Sequence, residues 1–542
     1  MKKTLLCIAI VYSLLPSCND DAENGAGPGK KSRKISARNY SITPSNSYSD
    51  FFLDSAILEN FIVEKKIPDS IAWRIRSFYN SRNYEFAWFS SDGLTEQARG
   101  FWNLHNNYTS STDDTALDNK ALQKRMDNLV AEDSLFPSAK DKSIINTEIL
   151  LTGNFIRHTL LAYEPDYVKR KEMERFVPAK KQDALYLADS LLRKKHKDDK
   201  YYEDVNPSYG LLKKKLLIYY NIHTTGGWPI ITGAKKNYKK GMTVPAISLL
   251  KTRLQLTGDM IEGDTSQAFT DTLETAVKKF QQRHGLETTG IVGEATLKEM
   301  NVPVAHRIQQ ILINMDRMRW LPIQPEGDLI IVNIPAFILH VKEGNKNVFD
   351  MDVVVGKGGH DTRIFTGNLN QVVFSPYWNV PKSIVQKEIL PAIEKNPDYI
   401  EMENMEIIGE KDGLPEIRQM PGDKNALGKV KFLFPNSYNI YFHDTPSKSL
   451  FAKSKRAFSH GCIRLRDPAK MATYLLRNQP EWTDSKIDEA MNSDKEKFVK
   501  LKKPVPVLIT YYTAWVDESG QLNFREDIYG HDAQLNKKMF TK

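Results

Sequence analysis

The spacing of apolar residues changes period partway along the chain, and that change limits the folds open to it. From about Asp50 to Tyr220 the apolar residues recur every three or four positions, as in Ile71-Ala72-Trp73-Arg74-Ile75 and in Ile144 to Leu161. A helix buries one stripe at that spacing. From Leu329 the period falls to two: Leu329 to Ile334, Phe337 to Val341, Met351 to Val355 and Val372 to Phe374 read as strands, and strand character returns at Tyr438–His443 and Val505–Tyr512. One chain therefore builds a helical half and a β half. A length of 542 residues is too great for a single core. The expected class is multidomain α+β: a helical N-terminal scaffold (49–242), a small three-helix module (243–303) and a mostly antiparallel β domain (304–542) with an inserted, charge-rich helical cap at about 382–437. The aromatic cluster Tyr84, Phe86, Trp88, Phe89 reads as scaffold core.

The N-terminus reads as an export signal. Met1-Lys2-Lys3 is followed by an apolar run, Leu5 to Leu15, too short to span a bilayer. The run ends in Leu15-Pro16-Ser17-Cys18, which resembles the lipobox of bacterial lipoproteins. That resemblance implies removal of residues 1–17, a lipid on Cys18, a flexible tether over 18–48 and a membrane-anchored protein facing the periplasm of a Gram-negative-type envelope. Cys7 would leave with the signal, so Cys462 would be the one free thiol of the mature chain. An unpaired thiol in an oxidising compartment is either inert and buried or reactive. The net charge of +9 is mild for this length and forms no dense basic stripe, so a nucleic-acid partner is not expected.

The segment around Cys462 is Ser459-His460-Gly461-Cys462-Ile463-Arg464. Cysteine attacks as thiolate and needs a base or a positive neighbour. Gly461 permits a tight path before the thiol, which would let backbone N–H groups converge into an oxyanion hole. Arg464, two residues on, falls on the Cys462 face of an extended chain and suits a carboxylate. Asp467-Pro468 reads as the cap and first residue of a following helix. In the strand ending at His443, alternation puts Ile440 and Phe442 on one face and Tyr441 and His443 on the other, so His443 is expected as a solvent-facing base, with His460 as a second candidate.

These residues resemble the signature of the YkuD-type L,D-transpeptidase catalytic domain, as do Val353–Gly356 and the rim string Ser375-Pro376-Tyr377-Trp378-Asn379-Val380-Pro381. Leu273 to Gln282 followed by Gly285-Leu286 and Thr289-Gly290 resembles the peptidoglycan-binding type 1 module, and the domain order is similar to the large YcbB-like branch. The resemblance implies that Cys462 attacks the L,D amide of a donor stem tetrapeptide with His443 as general base and acid. Backbone N–H groups around Gly461 and Cys462 would hold the oxyanion, and Ser459 and His460 would shape the site. Arg464 would position the donor, with Tyr441, Tyr377 and Trp378 contributing to substrate binding. The partners would be peptidoglycan stem peptides and glycan, with no metal or other cofactor. Hydrolysis to a tripeptide, attachment of a protein to the wall, and a non-catalytic wall-binding lipoprotein are rival readings. Asp444, where smaller members carry Gly, and Thr362-Arg363, where Thr-Pro is frequent, depart from the pattern.

Overall fold

In the computed structural model, residues 35–112, 115, 117–131, 136–162, 176–193, 207–232, 237–261, 263–320, 327–344 and 346–541 are described. The expected export signal, Cys18 and most of the expected tether lie outside them.

The first helices are α1 (Ser55–Glu64), α2 (Asp69–Ser81), α3 (Glu96–Ser111), α4 (Lys120–Ala131) and α5 (Lys142–Ala162). Their starts are written in side chains: Asp54 accepts from the Ala56 N–H and Thr95 from the Ala98 N–H. Ile71, Ala72, Ile75, Phe78 and Tyr79 of α2 pack with Ile144, Ile149 and Phe155 of α5. Phe86, Trp88 and Phe89 are fully enclosed in that core, as their clustering predicts. Two further helices follow, α6 (Ala184–Leu192) and α7 (Pro207–Thr224).

The small module is α8 (Ala246–Leu256), α9 (Asp271–Arg283) and α10 (Glu294–Met300) around Leu250, Leu254, Leu273, Val277 and Phe280. Gly285, at φ +66°, ends α9: its N–H meets the Gln282 carbonyl, and the Leu286 N–H meets that of Gln281. This is the paired closure that a left-handed residue after a helix provides. Lys251 is buried, with its ammonium bonded to Asp264 and Ser266.

The β half is one sheet: β1 (Asp328–Asn333), β2 (Ile338–Glu343), β3 (Lys346–Gly356), β4 (Phe365–Phe374), β5 (Val430–Leu433), β6 (Phe442–His443), β7 (Ala457–Ser459), β8 (Ile463–Leu465) and β9 (Lys497–Thr510). The order is β7-β3-β8-β6-β5-β4-β9-β1-β2, and β2 pairs back onto β3, so the sheet closes on itself. The pairs β6/β8, β9/β1 and β7/β3 are parallel and the rest antiparallel. Val332, Leu339, Val353, Val372, Phe432, Phe442 and Ile463 fill the interior.

Two expectations need correction. The inserted cap is only partly helical. Helical segments lie between Lys382 and Lys395 and at Tyr399–Met402, but Met405–Lys411 and Leu414–Gln419 form a hairpin, and Val430–Leu433 is a central barrel strand. The hairpin turns through Asp412-Gly413, both at positive φ, which is the Asp-Gly pattern of a two-residue turn. The second concerns α11 (Val304–Met318), expected to open the catalytic domain. It shares a core with Leu212, Leu216 and Tyr219 of α7 and with Ala514, Phe524 and Leu535 near the C-terminus. One face of α11 is apolar, and the helix also buries the polar side chains Asn314, Asp316 and Arg317.

Candidate active site

The site is positioned by strand register. β6 runs parallel to β8 with Phe442 opposite Ile463 and His443 opposite Arg464. Phe442 and Ile463 are fully buried in the barrel. Alternation then puts His443, Arg464 and the preceding pair, Tyr441 and Cys462, on the outer face. Residues far apart in the chain thus share one side of adjoining strands.

A short turn delivers Cys462 to that face. Gly461 sits at φ +113°, a region side chains rarely occupy. Ser459 staples the turn: its hydroxyl donates to the Cys462 carbonyl at 2.5 Å and accepts from the Gly461 N–H at 3.2 Å. Buried Thr362 clamps it from the other side. Its hydroxyl donates to the Gly461 carbonyl (2.8 Å) and accepts from the Gly356 N–H (2.9 Å), while the Tyr529 hydroxyl donates to the Gly356 carbonyl (2.6 Å). The Gly461 N–H is therefore engaged by Ser459. Among the described residues nothing accepts from the Cys462 N–H, which leaves it as the backbone donor beside the sulfur.

Cys462 is half-buried, and its thiol donates to the Asn439 carbonyl at 3.7 Å. Burial pushes the thiol above its ordinary range, against the lowering influence of Tyr441 and of the Arg464 charge. The Tyr441 hydroxyl is pushed up in turn, by burial first and then by Cys462. His443 is buried at 4% exposure, where a solvent-facing base was expected. Lys431 of β5 lies opposite it in the sheet, and the adjacent Asp444 carboxylate accepts from the Lys429 N–H and, at 2.6 Å, from Lys448 Nζ. Burial, reinforced by Arg464, brings the imidazole pKa down to about 3. Its Nδ1 lies 2.5 Å from the Asp444 carbonyl, which can only accept, and the Leu427 carbonyl also meets the ring.

Arg464 is the least satisfied of the group. Its Nε is buried without a hydrogen-bond partner, and burial lowers the guanidinium's pKa. An orphaned cationic donor beside a thiol suits an incoming anion or carbonyl. His460 points elsewhere, with Nε2 2.9 Å from Glu388 of the cap and its ring edge-on to His360 at 4.9 Å. Tyr377 and Trp378 stand at the root of the cap. Arg418 stacks over the Tyr377 ring at 4.2 Å, Trp378 pairs with Gln419, and the Tyr377 carbonyl accepts from Lys431, the residue opposite His443. Thr362 is a positioning residue that the sequence reading did not single out; only its neighbour's departure from the usual Thr-Pro marked the loop.

Residues 327–507 match the family model described as "L,D-transpeptidase catalytic domain". The chain carries a YkuD-type L,D-transpeptidase catalytic domain. Residues 74–216 match "Scaffold domain", and residues 243–300 match "Putative peptidoglycan binding domain". A relative from Haemophilus influenzae named "Putative L,D-transpeptidase" is 31% identical over 257 residues, covering 44% of this chain and 50% of the relative. The chain thus spans about half the length of the curated relative it matches. Among solved structures, an L,D-transpeptidase from Stackebrandtia nassauensis is 16% identical, with 52% of this chain and 97% of that chain covered and a TM-score of 0.23. One from Mycobacterium smegmatis is 14% identical, with 34% and 58% covered and a TM-score of 0.20.

Proposed function

We propose that this chain is a peptidoglycan L,D-transpeptidase that forms 3→3 cross-links through a thioester on Cys462. The parallel register of β6 on β8 carries the reading, because it brings Cys462, Tyr441, His443 and Arg464 to one face. In the first step Cys462 Sγ bonds to the carbonyl carbon of the L,D amide of a donor tetrapeptide. Its proton passes to His443, and the Cys462 N–H faces the developing oxyanion, the Gly461 N–H being engaged by Ser459. The C–N bond breaks and D-alanine leaves with the proton that His443 returns. An acceptor side-chain amine then attacks the thioester, forming the new amide and releasing the thiol. Arg464 binds the donor peptide, Tyr441 packs beside the sulfur, and Ser459 with Thr362 holds the turn. His460 serves the cap and not the proton transfer.

The resting pair is neutral thiol and neutral imidazole, since burial raises one pKa and lowers the other. Substrate binding, not a standing ion pair, sets off the proton transfer.

Purified disaccharide-tetrapeptide incubated with the enzyme should give a dimer lacking one D-alanine by mass spectrometry, and Cys462→Ala should give none. Tripeptide alone would make the protein a hydrolase, and product from the Cys462→Ala variant would overturn the mechanism. Export and lipidation at Cys18 belong to the same proposal on sequence grounds. Radiolabelled palmitate should enter the wild type and be absent from Cys18→Ala.

A further inference from the structure

Between the scaffold and the barrel lies a cleft of about 400 Å3, walled by α3, α4, β4 and the loop at residues 435–438. Its lining is unusually rich in side-chain amides: Asn103, Asn106, Asn107, Asn368, Asn370 and Asn436 all face it. Two of these are structural. Asn103 donates to the Ile364 carbonyl, and Asn436 is consumed by its own loop. The side-chain amides of Asn106, Asn107, Asn368 and Asn370 have no protein partner among the described residues. Trp102, in the wall, is 2% exposed, and its indole N–H is also unpartnered. Asp127 carries the cleft's one formal charge among the described lining residues.

We propose that this cleft binds the glycan strand of the donor, as a subsite for neutral N-acetylated sugars; the inference rests on the reading of the chain as a peptidoglycan enzyme. Each free amide offers donors and an acceptor, the pairing that hydroxyl and acetamido groups require. A stem peptide is a poor occupant, because it carries carboxylates and the cleft answers with a carboxylate of its own and no cation. The Tyr438 ring supplies a partly exposed apolar face, packed against Phe365 at 5.1 Å. A second cleft, of about 520 Å3, shares Gln123 and Asp127 with the first and is lined also by Asp118, Lys120 and Lys124, so the groove continues along α4 with a mixed-charge extension beyond the amide-rich part.

Position supports the assignment. Tyr438 lines the cleft, and the carbonyl of the next residue, Asn439, is the one that meets Cys462 Sγ. Only a short three-residue arm separates a sugar from the scissile amide. A donor bound at Cys462 must therefore have its sugar close to the nucleophile, on one flank or another. The amide-rich groove is a flank whose chemistry fits.

The test uses the full chain and tetra-N-acetylchitotetraose, followed by calorimetry. Wild type should bind, and Asn106→Ala/Asn368→Ala should weaken binding at least tenfold. In turnover assays the same variant should raise KM for disaccharide-tetrapeptide about tenfold, with kcat and the turnover of sugar-free tetrapeptide unchanged. Asn370→Ala, on the neighbouring strand position, provides an independent variant should the double variant misfold. No binding by wild type, or equal effects on sugar-bearing and sugar-free substrates, would overturn the cleft's role. Failure of wild type to process either substrate would count against the proposed function, while the calorimetry would still judge the cleft.

Discussion

At Cys462 two effects on the thiol oppose each other, and burial wins over the positive charge of Arg464. A raised pKa leaves less thiolate at neutral pH, so alkylation by iodoacetamide should be slow there. It should accelerate with pH and show an apparent pKa above the roughly 8.5 of a free cysteine. An apparent pKa below 8 would indicate a thiolate–imidazolium pair at rest. Because His443 is held at about 3, kcat/KM should show no acid limb from this imidazole between pH 5 and 8. Arg464 is argued from its orphaned Nε. Arg464→Met removes a charged hydrogen bond to the donor worth about 1.5–3 kcal/mol. That corresponds to roughly 10–100-fold in kcat/KM, and steady-state kinetics with the tetrapeptide will show it. Most of this residue set was legible in sequence, because alternation alone puts Tyr441 with His443, and Cys462 with Arg464. That the two pairs meet side by side depends on a parallel pairing between short strands, which local sequence does not encode. The burial of His443 escaped for the same reason: the strand that pairs with it through Lys431, and the Leu427 backbone that meets its ring, come from a separate segment.

Among the elements, the nucleophile turn is held by side chains outside it. Thr362→Val keeps the shape of the residue and removes both hydroxyl bonds, to Gly461 and from Gly356. Small misplacement of a nucleophile costs up to about 100-fold. Thr362→Val should therefore lower kcat by roughly 10–100-fold while circular dichroism stays native, and wild-type kcat in this variant would remove Thr362 from the mechanism. The cap is latched more weakly. His460 and Glu388 are both substantially exposed, and a pair of that kind is worth at most about 1 kcal/mol. Glu388→Ala should raise amide exchange in residues 382–402 by no more than about fivefold, read by hydrogen–deuterium mass spectrometry. The cap's hairpin was legible after all, in Asp412-Gly413. Its charged, mixed flanks, from Met405 to Gln419, obscured the alternation because much of their surface faces solvent and needs no apolar face.

For the whole molecule, α11 is the joint. Asn314 and Gln310 bond to Thr513, and Arg317 is buried between Glu96, at the start of scaffold helix α3, and Asp532, near the C-terminus. From Arg317 a chain of contacts runs through Tyr511, over whose ring its guanidinium lies, to Tyr529 and so to the Gly356 carbonyl behind the nucleophile turn. Sequence period alone assigned α11 to the catalytic domain, because an amphipathic helix does not name the surface that covers it. Arg317→Met keeps the stem and removes the charge, leaving buried carboxylates without their partner. Breaking one side of a buried pair costs about 3–5 kcal/mol. The sign with pH separates this from lost packing. Burial already raises the Asp532 pKa above its unfolded value, and without Arg317 it rises further. A carboxyl with a raised folded pKa keeps its full contribution below the unfolded pKa and loses it as pH rises through the folded one. The stability deficit of Arg317→Met, measured by urea unfolding, should therefore be small near pH 4 and grow toward pH 7.5. An equal deficit at both pH values would mean that the arginine acts through its stem and that the scaffold and barrel are not joined by charge.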